Sequence, residues 1–198
     1  MKAVIIIFSV ILVAFIAFQL WAMNGQKDIE TYQYTVEKSY DDFEIRKYEE
    51  TLFTTVTLDK NTYDESSSKG FGILAGYIFG GNDQNEKIAM TSPVAMSMDD
   101  QMTMMFMVPK EFDRESLPVP NDSQIQFTEM PAKTVAAISF GGWANDEKIE
   151  NYKNQLTSAL DREGIQYTDV WYFLGYNAPY ELVNRKNDVI IELVADEL

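Results

Sequence analysis

Two kinds of hydrophobic pattern divide the chain. Residues 3–18 form an apolar run without a charge, which continues through Gln19 to residue 23. After a polar stretch at 24–30, hydrophobic and polar residues alternate in short runs, which is typical of half-buried β-strands. We therefore predict an N-terminal membrane anchor or signal segment over 1–23, a linker over 24–30 and one folded domain over 31–198.

The N-terminal run has the length of a membrane-spanning helix, for which about 20 apolar residues are needed. A cleaved signal peptide has a shorter apolar core, of about 7–15 residues, and a small-x-small site that residues 20–22 match poorly. We predict an uncleaved transmembrane helix with Trp21 at the interface, with secretion after signal cleavage as the alternative. Lys2 favours a cytoplasmic N-terminus, so the domain would face a bacterial periplasm or the cell exterior.

The domain contains the same order of elements twice. Strand patterns precede and follow each of two helical patterns, one over about 63–79 and one that Asn145 can cap and Gly164 can end. The strand patterns lie at 43–48 and 52–58 and in a hairpin over 94–107 that turns at 99–100, and again at 124–130, 134–140, 170–176 and 189–194, with an additional strand at 31–38.

Such an order predicts an α+β fold built from two ββαββ repeats, over about 43–108 and 123–194. Two repeats related by a pseudo-twofold axis can close their sheets into a distorted antiparallel β-barrel with both helices packed outside. A groove is expected where a helix crosses the sheet, and concave sites of this kind are where ligands usually bind.

The composition excludes several kinds of chemistry. The 198 residues include no Cys and no His, which removes thiol nucleophiles, Cys-ligated metals and the usual general base near neutral pH. All 31 acidic residues follow position 27, whereas one of the 16 basic residues, Lys2, precedes it, so residues 27–198 carry a net charge of −16. A surface of this charge repels nucleic acid, and we predict no nucleic-acid partner.

The stretch 80–94 is the most distinctive motif. It begins at the glycine pair Gly80-Gly81, which is typical of the end of a helix, and turns through polar residues into the strand-like sequence Lys-Ile-Ala-Met-Thr-Ser-Pro-Val at 87–94. Pro93 removes a backbone donor, so it predicts a strand end, an edge or a bulge.

With weaker motifs elsewhere, this stretch resembles the SOUL haem-binding family. The weaker motifs follow in the same order along the chain and lie at 43–48, 71–82, 106–109, 140–142, 176–179 and 185–189. The resemblance covers nearly everything after Tyr32. It implies a distorted antiparallel barrel with two helices, related to bacterial effector-binding domains. It also implies that the domain binds haem or another tetrapyrrole in an apolar groove, without catalysis.

Residues for this implied site come from the groove between the first helix of the domain and the sheet. We predict that Phe71, Leu74, Tyr77 and Met90 line it, with Lys87 and Arg46 as partners for an anionic group. These two are chosen from six candidate cations that could accept haem propionates, namely Arg46, Lys47, Lys69, Lys87, Arg185 and Lys186.

The sequence departs from the family in having no histidine as an axial ligand. Haem iron would then be held by Met, Tyr or Lys, or the porphyrin would bind by its apolar face alone. The expected assembly is a monomer.

Two alternatives remain open. Residues 96–107 are rich in methionine, a soft ligand that suits Cu(I), and Met102 and Met104 would be its ligands; methionine also fills cores. The other alternative is a protein-interaction scaffold that keeps the fold, has lost ligand binding and uses its acidic surface for a partner.

Overall fold

A computed structural model describes residues 2–25, 29–98, 101–178 and 181–194. Within these residues the helices are α1 Lys2–Gly25, α2 Tyr63–Ile78 and α3 Asp146–Glu163. The strands are β1 Tyr34–Ser39, β2 Glu44–Tyr48, β3 Thr51–Thr57, β4 Val94–Met98, β5 Met102–Met107, β6 Gln126–Met130, β7 Lys133–Gly141, β8 Tyr167–Gly175 and β9 Lys186–Leu193. The expected order of two ββαββ repeats after a first strand is confirmed.

The strands form a single antiparallel sheet in the order β1-β2-β7-β9-β8-β4-β5-β3-β6. The strands of the first repeat (β2 to β5) correspond in sequence to those of the second (β6 to β9). When each strand from β2 to β6 in the sheet is replaced by its counterpart, the result is the same strand order read from the opposite edge. The predicted pseudo-twofold relation is therefore present in the topology, with its axis between β4 and β8, which pair from Val94 with Gly175 to Ser97 with Tyr172.

The sheet is curled into a half-barrel and buries side chains on both faces. The convex face packs against α2 and α3 around residues such as Ile45, Leu74 and Leu156. The other face gathers Tyr48 from β2 and Phe53 from β3, which lie near opposite ends of the strand order. Because one cluster contains side chains from both ends, this second face is concave.

The ends of α3 follow from the sequence. The Asn145 side chain accepts a hydrogen bond from the Lys148 backbone N–H at 2.8 Å, as a helix N-cap does. Asp146 and Glu147 lie in the first turn, where the helix dipole favours acids. Gly164 ends the helix in the left-handed conformation, with φ of 69°.

The motif at 80–94 has a structural role. Asn82 is buried and its side-chain amide donates to the Tyr77 and Glu86 carbonyl oxygens, at 3.2 and 2.8 Å. The chain passes so close to α2 here that a Cβ on Gly81 would lie 2.6 Å from the Gly76 carbonyl oxygen. Pro93 directly precedes β4, which confirms its predicted place at a strand end.

Helix α1 covers most of the predicted N-terminal segment, and its Gln19 side chain accepts a hydrogen bond from the Leu182 backbone N–H at 3.3 Å. Over the residues that the structure describes, no helix was found to be long and apolar enough for a membrane crossing. The predicted transmembrane helix is therefore not confirmed. The Trp21 side chain, linker residues 26–28, the hairpin turn at 99–100 and Pro179 lie outside the described residues.

Candidate functional site

Four of the six predicted site residues come together, but they do so inside the protein. Leu74 and Tyr77 are 0% and 1% exposed, and the Tyr77 hydroxyl donates to the Pro118 carbonyl oxygen at 2.9 Å. Phe71 is half-buried with its ring 5.3 Å from that of Phe106, and Met90 packs against the same core. The space between α2 and the sheet is thus occupied by core side chains in this structure.

Arg46 lies on the opposite, concave face of the sheet and does not meet the other five. It is 3% exposed, and its guanidinium donates to Asp188 at 2.7 Å, to Glu44 at 2.8 Å and to Ser139 at 3.3 Å. Asp188, which is 0% exposed, also accepts hydrogen bonds from Ser139 at 2.6 Å and from Tyr176 at 2.7 Å. Although burial opposes its charged form, the pKa of Arg46 is raised because Asp188 and Glu44 lie against it.

Lys87 is exposed, as a partner for an anion should be. It comes directly before Ile88, whose backbone N–H donates to the Ile78 carbonyl oxygen at the end of α2, at 2.8 Å. The structure therefore places Lys87 beside the C-terminal end of α2 and leaves its role as a prediction.

The methionines of the copper alternative are buried core residues. Met102 and Met104 lie on the convex face of β5 next to Met98 and Met96 of β4, while Met105 and Met107 fill the concave face. Among the described residues there is no group of three or more acidic side chains arranged to hold a metal ion. Packing on both faces of the sheet agrees with the interpretation that these methionines fill the core.

Exposed apolar side chains lie in the loop between β8 and β9 and in the loop after β7, and Arg185 contacts both loops. We name this set of residues the Trp143 surface, and it consists of Trp143, Leu182, Val183 and Arg185. The three apolar side chains are 54%, 47% and 49% exposed. The Arg185 guanidinium lies 4.0 Å from the centre of the Trp143 ring, a stacking distance that links the two loops.

Arg185 holds this surface in shape. Its guanidinium donates to the carbonyl oxygens of Glu181 at 2.7 Å, Ala178 at 3.0 Å and Asn177 at 3.4 Å, which closes the β8–β9 loop around it. Its Nε is buried and has no hydrogen-bond partner within the described chain. Burial lowers the pKa of Arg185.

Of the two lysines nearest the Trp143 surface along the chain, Lys148 and Lys186, one adds positive charge to it. The Lys148 ammonium donates to the Gly141 carbonyl oxygen at 2.6 Å, next to the loop that carries Trp143. Lys186 follows Arg185 directly, but its ammonium lies 3.6 Å from the Asp188 carboxylate and 4.2 Å from the centre of the Tyr176 ring, on the concave face. Arg185 and Lys148 are therefore the cations beside the exposed Trp143 ring.

Sequence patterns identify Arg185 and Lys186 as candidate cations but do not identify Trp143, Leu182 or Val183. These three residues lie in loops, where no periodic pattern distinguishes an exposed apolar side chain from a buried one. The one sequence feature that could have identified them is their position beside the motifs at 140–142 and 185–189.

The class of protein defined by this fold is a curled antiparallel β half-barrel flanked by helices. The profile of the SOUL heme-binding protein family matches residues 29–192, and the chain belongs to that family. Human heme-binding protein 2 is 29% identical over 156 residues, which are 74% of this chain and 76% of that protein. Heme-binding protein 1 of Xenopus laevis is 27% identical over 155 residues, which are 74% of this chain and 81% of that protein.

Solved structures show the same fold at low sequence identity. The C-terminal domain of EcmrR has a TM-score of 0.60 and 12% identity, covering 82% of this chain and 98% of that one. A hydrolase from Listeria innocua has a TM-score of 0.56 and 11% identity, covering 80% of this chain and 94% of that one. These likenesses show the fold alone, and the family match is what relates the half-barrel to SOUL proteins.

Proposed function

We propose that the domain binds haem or another tetrapyrrole on the Trp143 surface, without catalysis. The observation that carries this proposal is the exposed Trp143 ring beside Arg185 and Lys148, with exposed Leu182 and Val183 in the loop that Arg185 closes, on a family member that is strongly acidic. The names of the relatives support the ligand class.

The chemistry of the surface suits a flat, apolar dianion. A tetrapyrrole ring can stack on the indole of Trp143 and cover the aliphatic side chains of Leu182 and Val183. Its carboxylates need local positive charge on a domain of this net charge, and Lys148 supplies it beside Trp143. Arg185 is already bonded to three carbonyl oxygens, so it positions the loop and offers the ring a stacked cation.

The chain has no histidine to bind the haem iron, and the proposed stacking of the ring requires no iron ligand from the protein. Binding by the apolar face alone would make the site tolerant of the metal at the porphyrin centre. We therefore expect metal-free porphyrin and haem to bind with affinities within about threefold of each other, a difference below about 0.7 kcal/mol.

The test is a haem titration of the full chain in lipid nanodiscs, followed by the Soret band, with empty nanodiscs as the blank. Trp143→Ser should weaken binding about tenfold, since a stacked aromatic pair contributes about 0.5–1.5 kcal/mol beyond its buried area. Val183→Ser should weaken it to a smaller extent. Both side chains are exposed, so the fold should be retained.

Two further variants keep the outcome interpretable. Val119→Ser removes a similarly exposed valine from another loop and should leave haem affinity unchanged. Lys87→Gln tests the predicted α2 groove; a loss of affinity in this variant, with Trp143→Ser unaffected, would move the site back to α2. No saturable binding of haem or porphyrin by the wild-type chain would reject the ligand and favour the scaffold alternative.

We also propose that α1 anchors the domain to a membrane, with the domain in the periplasm or outside the cell. The support is the uncharged apolar sequence of residues 3–23. When the chain is expressed with its native N-terminus, it should remain in the membrane pellet after an alkaline carbonate wash, and external protease should digest the domain. Release of an intact chain by the wash would contradict the anchor, and release of a shortened chain would support signal cleavage.

A further inference from the structure

Residues 29–33 form a segment, here named the clasp, that crosses the open side of the half-barrel. Thr31 forms a parallel bridge with Ser92, and the Tyr32 backbone N–H donates to the Ser92 carbonyl oxygen at 2.9 Å. The Glu30 carboxylate accepts hydrogen bonds from the Lys110 backbone N–H, at 3.1 and 3.2 Å. The clasp is thus fastened by a few bonds at its backbone and by one carboxylate.

The Tyr32 side chain fills the gap between the two ends of the sheet. Its ring lies 4.5 Å from the ring of Tyr48 on β2 and 5.3 Å from that of Phe53 on β3, measured between ring centres. These two strands lie near opposite ends of the strand order. The clasp therefore inserts one aromatic ring into the concave interior, from outside the sheet.

The interior that this ring closes contains two hydroxyl groups with unused hydrogen-bonding capacity. Tyr32 and Tyr48 are 5% and 1% exposed, and neither hydroxyl has a partner in hydrogen-bonding geometry within the part of the chain that the structure describes, although Arg46 and Tyr176 lie close to the Tyr48 hydroxyl. A buried hydroxyl without a partner costs free energy, so an incoming hydrogen-bonding group would be favoured there. Burial raises the pKa of Tyr48 to about 12, which keeps the group as a neutral O–H at physiological pH.

The surrounding charges determine which ligand could enter. Arg46 and Asp188 are paired at 2.7 Å, and Lys133 and Glu192 are paired at 2.7 Å. Since each charge on this face already faces an opposite one, a charged ligand would be buried without compensation. A neutral aromatic ring with one hydroxyl matches what the site offers, because it has the shape of the Tyr32 side chain and can bond to Tyr48.

We propose that the concave interior behind the clasp is a second binding site, for a small neutral phenol that takes the place of the Tyr32 ring between Tyr48 and Phe53. Binding releases the clasp, since ring and ligand cannot occupy this place together. The site lies apart from the Trp143 surface and does not depend on the proposed binding of a tetrapyrrole.

The test uses p-cresol as the ligand and p-xylene, its analogue without the hydroxyl, as the matched control. Both are titrated into the full chain by NMR, with hydrogen exchange of the Tyr32 and Ser92 amides as a readout of the clasp. We expect saturable p-cresol binding in the millimolar range, faster exchange of both amides, and at least about fivefold weaker binding of p-xylene. Trp143→Ser should leave p-cresol binding unchanged.

Three variants test the individual steps. Tyr32→Ala should tighten p-cresol binding about tenfold because the competing ring is absent, and Tyr48→Phe should weaken it about fivefold. Glu30→Ala loosens the clasp without opening the core and should tighten binding about twofold, so the proposal stays testable if Tyr32→Ala does not fold. The proposal is overturned if neither wild type nor Glu30→Ala binds p-cresol saturably, or if p-xylene and p-cresol bind alike.

Discussion

Replacing Asp188 by alanine should lower the free energy of unfolding by about 3–5 kcal/mol, the usual cost of removing one partner of a buried ion pair. The substitution removes the fully buried carboxylate that lies 2.7 Å from the Arg46 guanidinium and leaves Arg46 with the partly exposed Glu44 as its carboxylate partner. It also removes the acceptor of the Ser139 and Tyr176 hydroxyl groups. The measurement is chemical denaturation of the full chain, with two spectroscopic probes to check for a single transition.

Two comparisons separate burial from charge pairing. Lys60 and Glu65 form a pair with the same kind of short distance, 2.8 Å, but on the surface, so Lys60→Ala should leave the stability close to that of the wild type. Combining Arg46→Met with Asp188→Leu should recover much of the loss, because neither charge of this pair then remains buried. An Asp188→Ala variant no less stable than Lys60→Ala would show that the concave network is not a source of stability.

The fold could be predicted from the sequence because its signals are local. Alternating residues mark strands such as β2, and an Asn145 cap with a Gly164 stop marks α3, whatever the rest of the chain does. The repeated order of elements then limits how the sheet can close. Boundaries shifted by up to three residues, as at β8, which begins at Tyr167 where the pattern suggested residue 170.

The site was less predictable because its features depend on how distant segments meet. Alternation places Arg46 on the face of β2 opposite Ile45, but only the curl of the sheet buries that face and brings it to Asp188, 142 residues away. Phe71, Leu74 and Tyr77 share a helix face in the sequence, and nothing in that spacing separates a groove from a filled core. Trp143 gives no periodic signal, and its exposure appears only in the folded chain.

Replacing Leu74 by alanine should lower the free energy of unfolding by about 2–5 kcal/mol, the range for large-to-small changes at buried leucines. Leu74 is fully buried between α2 and the sheet, so the change leaves a cavity among core side chains. The same helix offers a matched control in Gly76, where an added Cβ meets no atom within 4 Å. Gly76→Ala should raise the stability by about 0.5–1 kcal/mol, because glycine is unfavourable inside a helix.

Haem affinity measured on Leu74→Ala and Gly76→Ala shows whether the space between α2 and the sheet is hydrophobic core or a ligand groove. If the space between α2 and the sheet is core, folded Leu74→Ala protein should bind haem as the wild type does, since the Trp143 surface is intact. If that space is the ligand groove of the sequence prediction, Leu74→Ala should lose affinity while its stability changes little. In the first interpretation the Leu74 side chain contributes to the free energy of unfolding, and in the second it contributes to the free energy of haem binding. Denaturation measures the first quantity and titration measures the second.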